Sequence, residues 1–364
     1  MHTYVKTQIP SGTQHHNHSN RLKWVDYAKG VGIVLVVYGH VLREIRPVKG
    51  LFVEYADFFE FSDKFVYSFH MPLFFMLSGY FFMSSLYKKD FLLDKIKGLV
   101  YPFIIWSLLQ TSAEILISYF SPYTNTQTPL TELITCLVIP RDQFWFLYAL
   151  FFITVINYFL FRINVAAGIY FSIILWVGYV LLRRFVPDTF NNTFQFLIFF
   201  NIGILFSQSR KFIVVIGRGK FLLAGAIVFA AIEYFYFLGF FPFNSIILSK
   251  FLVGVAGSLL IIQLSRLAVA ANFLPILSYI GKRSLPIYLA HMLVASGTRI
   301  LLLKILKVDN LLVNCVIGTL TGILLPLLLY SIVSKNEYTA WLFTFPQKIG
   351  NNYGTRQPAR INPA

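Results

Sequence analysis

Long apolar runs separated by short polar loops are the feature that most constrains this chain of 364 residues. A run of about 20 apolar residues is long enough for a helix to cross the hydrocarbon core of a bilayer. Inside that core each backbone N–H and C=O must be bonded within the segment, and a helix achieves this for a single run. The sequence therefore predicts an all-α fold, a polytopic membrane helical bundle of about ten transmembrane helices. The predicted spans are residues 24–43, 65–85, 99–120, 143–161, 166–184, 193–209, 220–239, 246–265, 274–302 and 311–333.

The composition excludes an ordinary soluble domain. Hydrophobic residues make up 57% of the chain and charged residues 13%, and the mean hydropathy is +0.67, whereas soluble domains carry about 25% charged residues. The net charge of +16 is compatible with nucleic-acid binding. However, the lysines and arginines lie in short loops between apolar runs, which is typical of a membrane protein. We therefore expect membrane lipids as surroundings and no nucleic-acid partner.

The distribution of basic residues predicts the domain organisation and the orientation. A transmembrane domain over residues 23–335 lies between a polar tail, residues 1–22, and a second tail, residues 336–364. Loops on the side of the two termini hold nearly twice as many lysines and arginines as the opposite loops. Cytoplasmic loops are enriched in these residues. We expect a multi-pass membrane protein with both termini in the cytoplasm.

The first span contains an acid, a base and an imidazole, at Asp26, Lys29 and His40. A central acid or base costs roughly 2.5–3.5 kcal/mol to insert, so a span that keeps all three is expected to use them. Eleven residues separate Lys29 from His40, which places both within about 20° on one helix face and about 16 Å apart. Asp26 lies three residues before Lys29 and shares that face.

A second cluster begins the next predicted span. His70 is expected at the outer start of this span, where it can approach His40. The alternative is an interfacial histidine bonded to a carbonyl. Pro72 is tolerated in the first turn of a helix, and the small residues Ser78 and Gly79 permit close helix packing.

These clusters and two later runs resemble the acyltransferase 3 family of membrane acyltransferases, and in particular its fucose O-acetylase-like and exopolysaccharide acetyltransferase branch. The resemblance implies a ten-helix fold, acetyl-CoA or a related acyl-CoA as donor, and a sugar hydroxyl as acceptor. The family's pattern of a basic residue, ten intervening residues and a histidine corresponds to Lys29 and His40. Its basic pair after the second span matches poorly, and Lys95 and Lys97 are the nearest candidates. The runs that carry the resemblance are residues 23–30, 37–40, 69–80, 144–151 and 281–291.

The residues of the first two spans are assigned roles in acyl transfer to an alcohol, which needs a base to take the hydroxyl proton. Imidazole suits this role, and we assign it to His40; a structural histidine at a helix end is the alternative. His70 is the candidate for a second acid/base or acceptor-positioning group. Lys29 is expected to neutralise a CoA phosphate, or else to extend to the interface as an ordinary lysine. Asp26 is expected to orient Lys29, or to be an interfacial acid.

Other candidates lie at the two ends of the predicted bundle. A basic loop forms a landing site for CoA phosphates or only a topology signal; its members are Lys88, Lys89, Lys95 and Lys97. On the sugar side the candidates are Arg141, Trp145 and His291, with aromatic-belt and buried structural roles as alternatives. Glu44 either orients His40 or is a solvated loop acid. Glu114 and Glu233 are intramembrane acids to which the sequence gives no partner.

The leading hypothesis is an integral membrane O-acetyltransferase that needs no metal. Its partners would be an acyl-CoA, a glycan or lipid-linked oligosaccharide, and other polysaccharide-assembly proteins. A transporter of polysaccharide or lipid-linked sugar is the second hypothesis, but the polar residues concentrate in the first two spans and related halves with broken helices are not evident. A glycan polymerase is the third. A polymerase is expected to have a large outer loop with an acidic or arginine-rich site. The longest predicted outer loop, residues 121–142, contains few charged residues.

Overall fold

A computed structural model describes residues 15–46, 52–120, 128–209, 219–239, 246–336 and 338–346. In these ranges the chain forms helices and turns and no β-strand, which confirms the predicted all-α class. The predicted tail over residues 336–364 lies mostly outside the described residues. Helix α1 begins at His15, inside the polar segment predicted as the N-terminal tail.

Ten helices make up the bundle in the described part of the chain. Nine of these segments are long and apolar enough to cross a membrane, and α7 is a shorter apolar helix. The predicted number of about ten is confirmed on this basis. The helices are α1 (His15–Ile45), α2 (Ala56–Tyr80), α3 (Tyr101–Phe120), α4 (Trp145–Ile163), α5 (Val165–Leu182), α6 (Asp188–Gln208), α7 (Leu222–Phe237), α8 (Ile246–Ala270), α9 (Ser284–Arg299) and α10 (Leu311–Val333).

Short helices and tighter or wider turns join and extend these ten. The short α-helices are Phe82–Ser85, Phe91–Lys95, Glu132–Thr135 and Ile276–Lys282. Two π-helical segments, Ile96–Val100 and Ile300–Ile305, run into α3 and out of α9. The 3₁₀ turns are Val53–Tyr55, Asp142–Phe144, Arg183–Phe185, Gly219–Phe221 and Ala340–Leu342.

Two predicted span limits were wrong. Helix α2 begins at Ala56 rather than near residue 65, because its first turns contain charged residues that end an apolar run but do not end a helix. His70 and Pro72 therefore lie in the middle of α2, not at its start. The ninth predicted span, residues 274–302, is divided into the helices Ile276–Lys282 and α9.

Helix α1 occupies the interior of the bundle. It packs against α2, α8, α9, α10 and the short helix Ile276–Lys282. Helix α2 in turn packs against α6 and α8. Because neighbours surround α1, its polar side chains face protein rather than lipid, which is where intramembrane polar groups are tolerated.

Glycines let several of these helices meet backbone to backbone. A Cβ atom at Gly79 would collide with the backbone of Phe200 on α6, and one at Gly203 would collide with the backbone of Met76 on α2. The pair is reciprocal, and it confirms the predicted close packing at Gly79. Small residues at helix interfaces gain van der Waals contact that lipid cannot supply.

Gly79→Ala should destabilise the protein, because the added methyl group overlaps a backbone that cannot turn aside. Overpacking of this kind costs about 1–3 kcal/mol. The matched control is Gly178→Ala on α5, where an added Cβ has no heavy atom within 4 Å. Thermal unfolding of the detergent-purified variants should show a lower melting temperature for Gly79→Ala only; equal melting temperatures would contradict the packing argument.

Candidate functional site

Three histidines converge in the interior of the bundle, one from each of α1, α2 and α9. The ring centroids of His40 and His291 lie 5.1 Å apart. The ring of Tyr67 lies between those of His40 and His70, at centroid distances of 6.0 Å and 4.7 Å. His70 and His291 are fully buried, whereas His40 is partly exposed. Among the three histidines, His40 is therefore the most exposed residue.

Backbone carbonyls fix the tautomers of the two buried histidines. The Nδ1 atom of His291 lies 2.7 Å from the carbonyl oxygen of Tyr288, and Nδ1 of His70 is bonded to the carbonyl of Val66. A carbonyl only accepts hydrogen bonds, so each Nδ1 carries the proton and each neutral ring keeps Nε2 as an acceptor. Nε2 of His291 is buried and has no hydrogen-bond partner among the described residues.

An ion pair flanks this histidine cluster. Arg43 lies on α1 just beyond His40 and donates to Asp63 of α2 through Nε at 2.5 Å and Nη2 at 3.1 Å. Its guanidinium carbon lies 3.3 Å from the ring centroid of Tyr67. The arrangement ties α1 to α2 at the level of the histidines and holds Tyr67 in place.

A second ion pair joins α1 to α9 one turn beyond His40. Nε of Arg299 donates to Glu44 at 3.1 Å, and the side chains are 4% and 18% exposed respectively. The expectation of a solvated acid at Glu44 was wrong, because α9 delivers a buried arginine to it. Nη1 of Arg299 is buried without a hydrogen-bond partner in the described ranges.

Beside Arg299 lies a polar cavity of about 140 Å³. Arg141 contributes to its wall and pairs with Glu114 at 3.1 Å and with Glu132 at 3.7 Å. Gln110 donates to both Glu114 and Asp142, at 3.0 and 3.1 Å. We call this group the polar cavity; its lining consists of Glu44, Gln110, Glu114, Ile117, Thr128, Arg141, Asp142, Met292, Leu293, Ser296, Arg299 and Ile300.

The opposite end of the bundle holds the predicted donor-side residues. Lys29 and Asp26 are partly exposed, and they interact electrostatically, although no ion pair within 4.0 Å joins them in the part of the chain that the structure describes. Nζ of Lys29 lies 5.8 Å from the ring centroid of Phe81. The two residues are neighbours on α1, and their assigned roles stay predictions.

The four lysines of the predicted landing site divide into two kinds. Lys88 and Lys89 are exposed in a loop. The ammonium groups of Lys95 and Lys97 lie 5.2 and 5.5 Å from the ring centroids of Phe91 and Phe345.

Lys97 also lines a cavity of about 790 Å³, together with Pro102, Leu285, Phe343 and Phe345. The segment that closes this cavity is held by Trp106, whose Nε1 donates to the carbonyl of Leu342 at 2.7 Å. A basic residue and aromatic rings thus share one recess at the Lys29 end.

Trp145 is not arranged as an open platform for a sugar. Its ring stacks with that of Phe196 at a centroid distance of 5.3 Å, and Phe75 lies 6.3 Å away on a similar tilt. These contacts make Trp145 part of the aromatic packing between α2, α4 and α6. The predicted stacking role is therefore not supported by the geometry.

Comparison with known proteins identifies the fold's family. A model described as an acyltransferase domain matches residues 22–331. The chain belongs to the acyltransferase 3 family. The match covers every residue of the histidine cluster and the polar cavity. A search of the solved structures found none that matches this chain.

Two curated relatives cover part of the chain. The nodulation protein NolL of Mesorhizobium japonicum is 32% identical over 149 residues, which is 39% of this chain and 35% of the relative. NolL of Sinorhizobium fredii is 30% identical over 136 residues, 36% of this chain and 34% of the relative. The matched segments span about a third of the length of these relatives.

The sequence alone assigned no partner to two intramembrane acids of this acyltransferase 3 member. Glu114 was left without a partner, and the structure pairs it with Arg141. Glu233 was also left without a partner, and in the structure the Ser68 hydroxyl donates a hydrogen bond to its carboxylate at 3.1 Å. The available signal was a set of intramembrane charges of both signs near one end of several spans, but sequence alone does not say which spans are neighbours. Among the described residues no group of three His, Cys, Asp or Glu side chains is arranged to hold a metal ion.

Glu44→Ala should destabilise the protein by about 3 kcal/mol, because it leaves the buried guanidinium of Arg299 without its counter-charge. The control is Glu60→Ala, which removes one partner of the exposed Lys64–Glu60 pair and should cost far less. Melting temperatures of both variants in the same detergent measure the difference. A loss no larger for Glu44→Ala than for Glu60→Ala would show that the Arg299 pair contributes little.

Proposed function

We propose that this chain is an integral membrane O-acetyltransferase that moves acetyl from acetyl-CoA to a sugar hydroxyl. The acceptor would be a surface or secreted polysaccharide or its lipid-linked precursor. The observation that carries the proposal is the histidine cluster, in which a partly exposed His40 lies beside the buried His291. Membership of the acyltransferase 3 family supports acyl transfer over the transport of a lipid-linked sugar.

In the proposed reaction His40 is the general base. As the hydroxyl oxygen attacks the thioester carbonyl, His40 takes the hydroxyl proton, and a bond forms between that oxygen and the acyl carbon. The carbon–sulfur bond then breaks, and CoA leaves as a thiol with the proton that His40 held. His291 has an acceptor Nε2 and no partner for it in the described ranges, so it is suited to accept a hydrogen bond from protonated His40 or from the sugar.

The donor would enter from the Lys29 end. Lys29 precedes His40 by eleven residues on one helix, a rise of about 16 Å, which is close to the length of an extended pantetheine arm. A phosphate near Lys29 would thus leave the thioester within reach of His40. Lys97 lines a recess at that end and offers a further positive charge there, beside the carboxylate of Asp94.

The orientation follows from the charge distribution. With the Lys29 end and both termini in the cytoplasm of a bacterial cell, acetyl-CoA meets the protein where it is made. The polar cavity at the other end then faces outward, where surface glycans are assembled.

Replacement of His40 by Ala or Gln should lower the rate of acetyl transfer at least about 100-fold, the lower range for loss of a general base. The control is His16→Ala, because His16 precedes the membrane span, and this variant should retain activity. The measurement is the O-acetyl content of glycans in a deletion strain complemented with each variant. Full acetylation with His40→Ala would remove His40 from the mechanism.

Lys29→Ala should raise the KM for acetyl-CoA and leave the KM for the sugar unchanged, because it removes a positive charge from the proposed phosphate site. The control is Lys335→Ala, an exposed lysine that follows α10 at the same end of the bundle. Steady-state kinetics of the purified protein separate the two constants. An unchanged KM for acetyl-CoA would argue against donor entry at Lys29.

A further inference from the structure

The polar cavity has the donors and acceptors of a binding site rather than of a closed ion-pair network. The side chain of Arg299 is 4% exposed, yet its Nη1 has no hydrogen-bond partner among the described residues. Nη1 of Arg141 is also buried and has no hydrogen-bond partner in the described part of the chain. A buried N–H left unbonded costs about 1–3 kcal/mol, so two such groups on one cavity wall indicate a missing acceptor.

Carboxylates supply the complementary half of the site. Glu44, Glu114 and Asp142 line the same cavity, and ionised carboxylates only accept hydrogen bonds. Asp142 is exposed and forms no ion pair among the described residues. A ligand that offers several hydroxyl hydrogens and several oxygen acceptors within a small volume satisfies both sets of groups.

The charge of the lining selects against an anionic ligand. Three carboxylates and two guanidinium groups line the cavity, and Glu132 adds a further acid against Arg141. The net charge of these side chains is negative, so a uronic acid or a phosphate would be repelled. An uncharged sugar has the required hydroxyl groups without that penalty.

The size and position of the cavity agree with one sugar ring. Its volume of about 140 Å³ is much smaller than the roughly 790 Å³ of the recess at the Lys29 end, which favours one small ligand over an extended chain. Glu44 lies one helical turn, about 6 Å of rise, beyond His40. On α9 the lining residues Met292 and Ser296 lie between His291 and Arg299. The three histidines do not line the cavity, but Met292 follows His291 directly and Glu44 follows His40 by one turn, so a ring held there lies about one helical turn from the histidine cluster.

We propose that the polar cavity is the acceptor subsite, that it holds a single uncharged pyranose, and that Glu114, Asp142, Arg141 and Arg299 bind the hydroxyl groups of this sugar. The inference rests on the proposed function for its role in acetyl transfer, but binding of the sugar can be measured without the donor. Arg141 and Arg299 then donate to sugar oxygens, and the carboxylates accept from its hydroxyl groups.

The test is saturation-transfer NMR of the purified protein, without acetyl-CoA, against a panel of methyl pyranosides. The panel contains glucose, galactose, mannose, fucose and N-acetylglucosamine glycosides, with methyl glucuronide and methyl galacturonide as charged counterparts. We expect at least one neutral glycoside to bind more tightly than its uronide. Asp142→Asn and Glu114→Gln should weaken that binding about tenfold or more, whereas the exposed Asp188→Asn at the start of α6 should not.

A third variant tests the cavity without changing its charge. Ser296→Phe fills the cavity and should abolish sugar binding, with a melting temperature close to that of the parent protein. In acetyl-transfer assays the same variants should raise the KM for the sugar and leave the KM for acetyl-CoA unchanged.

The outcomes separate this inference from the proposed function. If acetyl transfer occurs but all three cavity variants keep the parent affinity and KM for the sugar, the acceptor lies elsewhere and the inference is overturned. Equal or tighter binding of a uronide, or no binding of any glycoside, overturns it as well. If no acetyl transfer occurs but a neutral glycoside binds and the cavity variants lose it, the proposed function fails and the subsite stands.

Discussion

A charge inside a membrane protein needs a partner close by, and the rest of this structure depends on how α1 meets that need. Glu44 of α1 is paired with Arg299 of α9, and Arg43 of α1 is paired with Asp63 of α2. These two pairs hold three helices at the level of His40. Breaking a buried pair costs far more than breaking an exposed one. Arg299 is 4% exposed and Arg43 is 47% exposed, so the Glu44–Arg299 pair is the electrostatic contact that contributes most to the position of the histidine cluster.

Close backbone contact provides the second constraint. Gly30 faces the backbone of Leu277, and Gly281 faces that of Asp26, so the short helix Ile276–Lys282 lies directly against the middle of α1. This contact fixes the register of α9 relative to α1. The same register brings His291 next to His40, and Arg299 next to Glu44, which links the packing of small residues to the geometry of the site.

Much of the fold could be predicted from the sequence because its signals are local. Runs such as residues 143–161 are uncharged and mostly apolar, and their length alone indicates a span. Local patterns failed where charge entered a helix, as in α2, whose first turns contain Asp57, Glu60 and Lys64. Nor does a linear pattern reveal that Trp145 packs against Phe75 of α2 and Phe196 of α6, because contacts between helices are not encoded in residue spacing.

By itself the sequence determined that this chain is a bundle of membrane helices, that α1 contains Asp26, Lys29 and His40, and that its motifs resemble one family of acyltransferases. Apolar length, residue spacing and motif order are properties of the linear chain. Only the tertiary structure decided that His291 is the neighbour of His40, that Glu44 pairs with Arg299, and that Arg141 and Glu114 enclose a polar cavity. These contacts join residues more than a hundred positions apart or on different helices, and only helix packing brings them together.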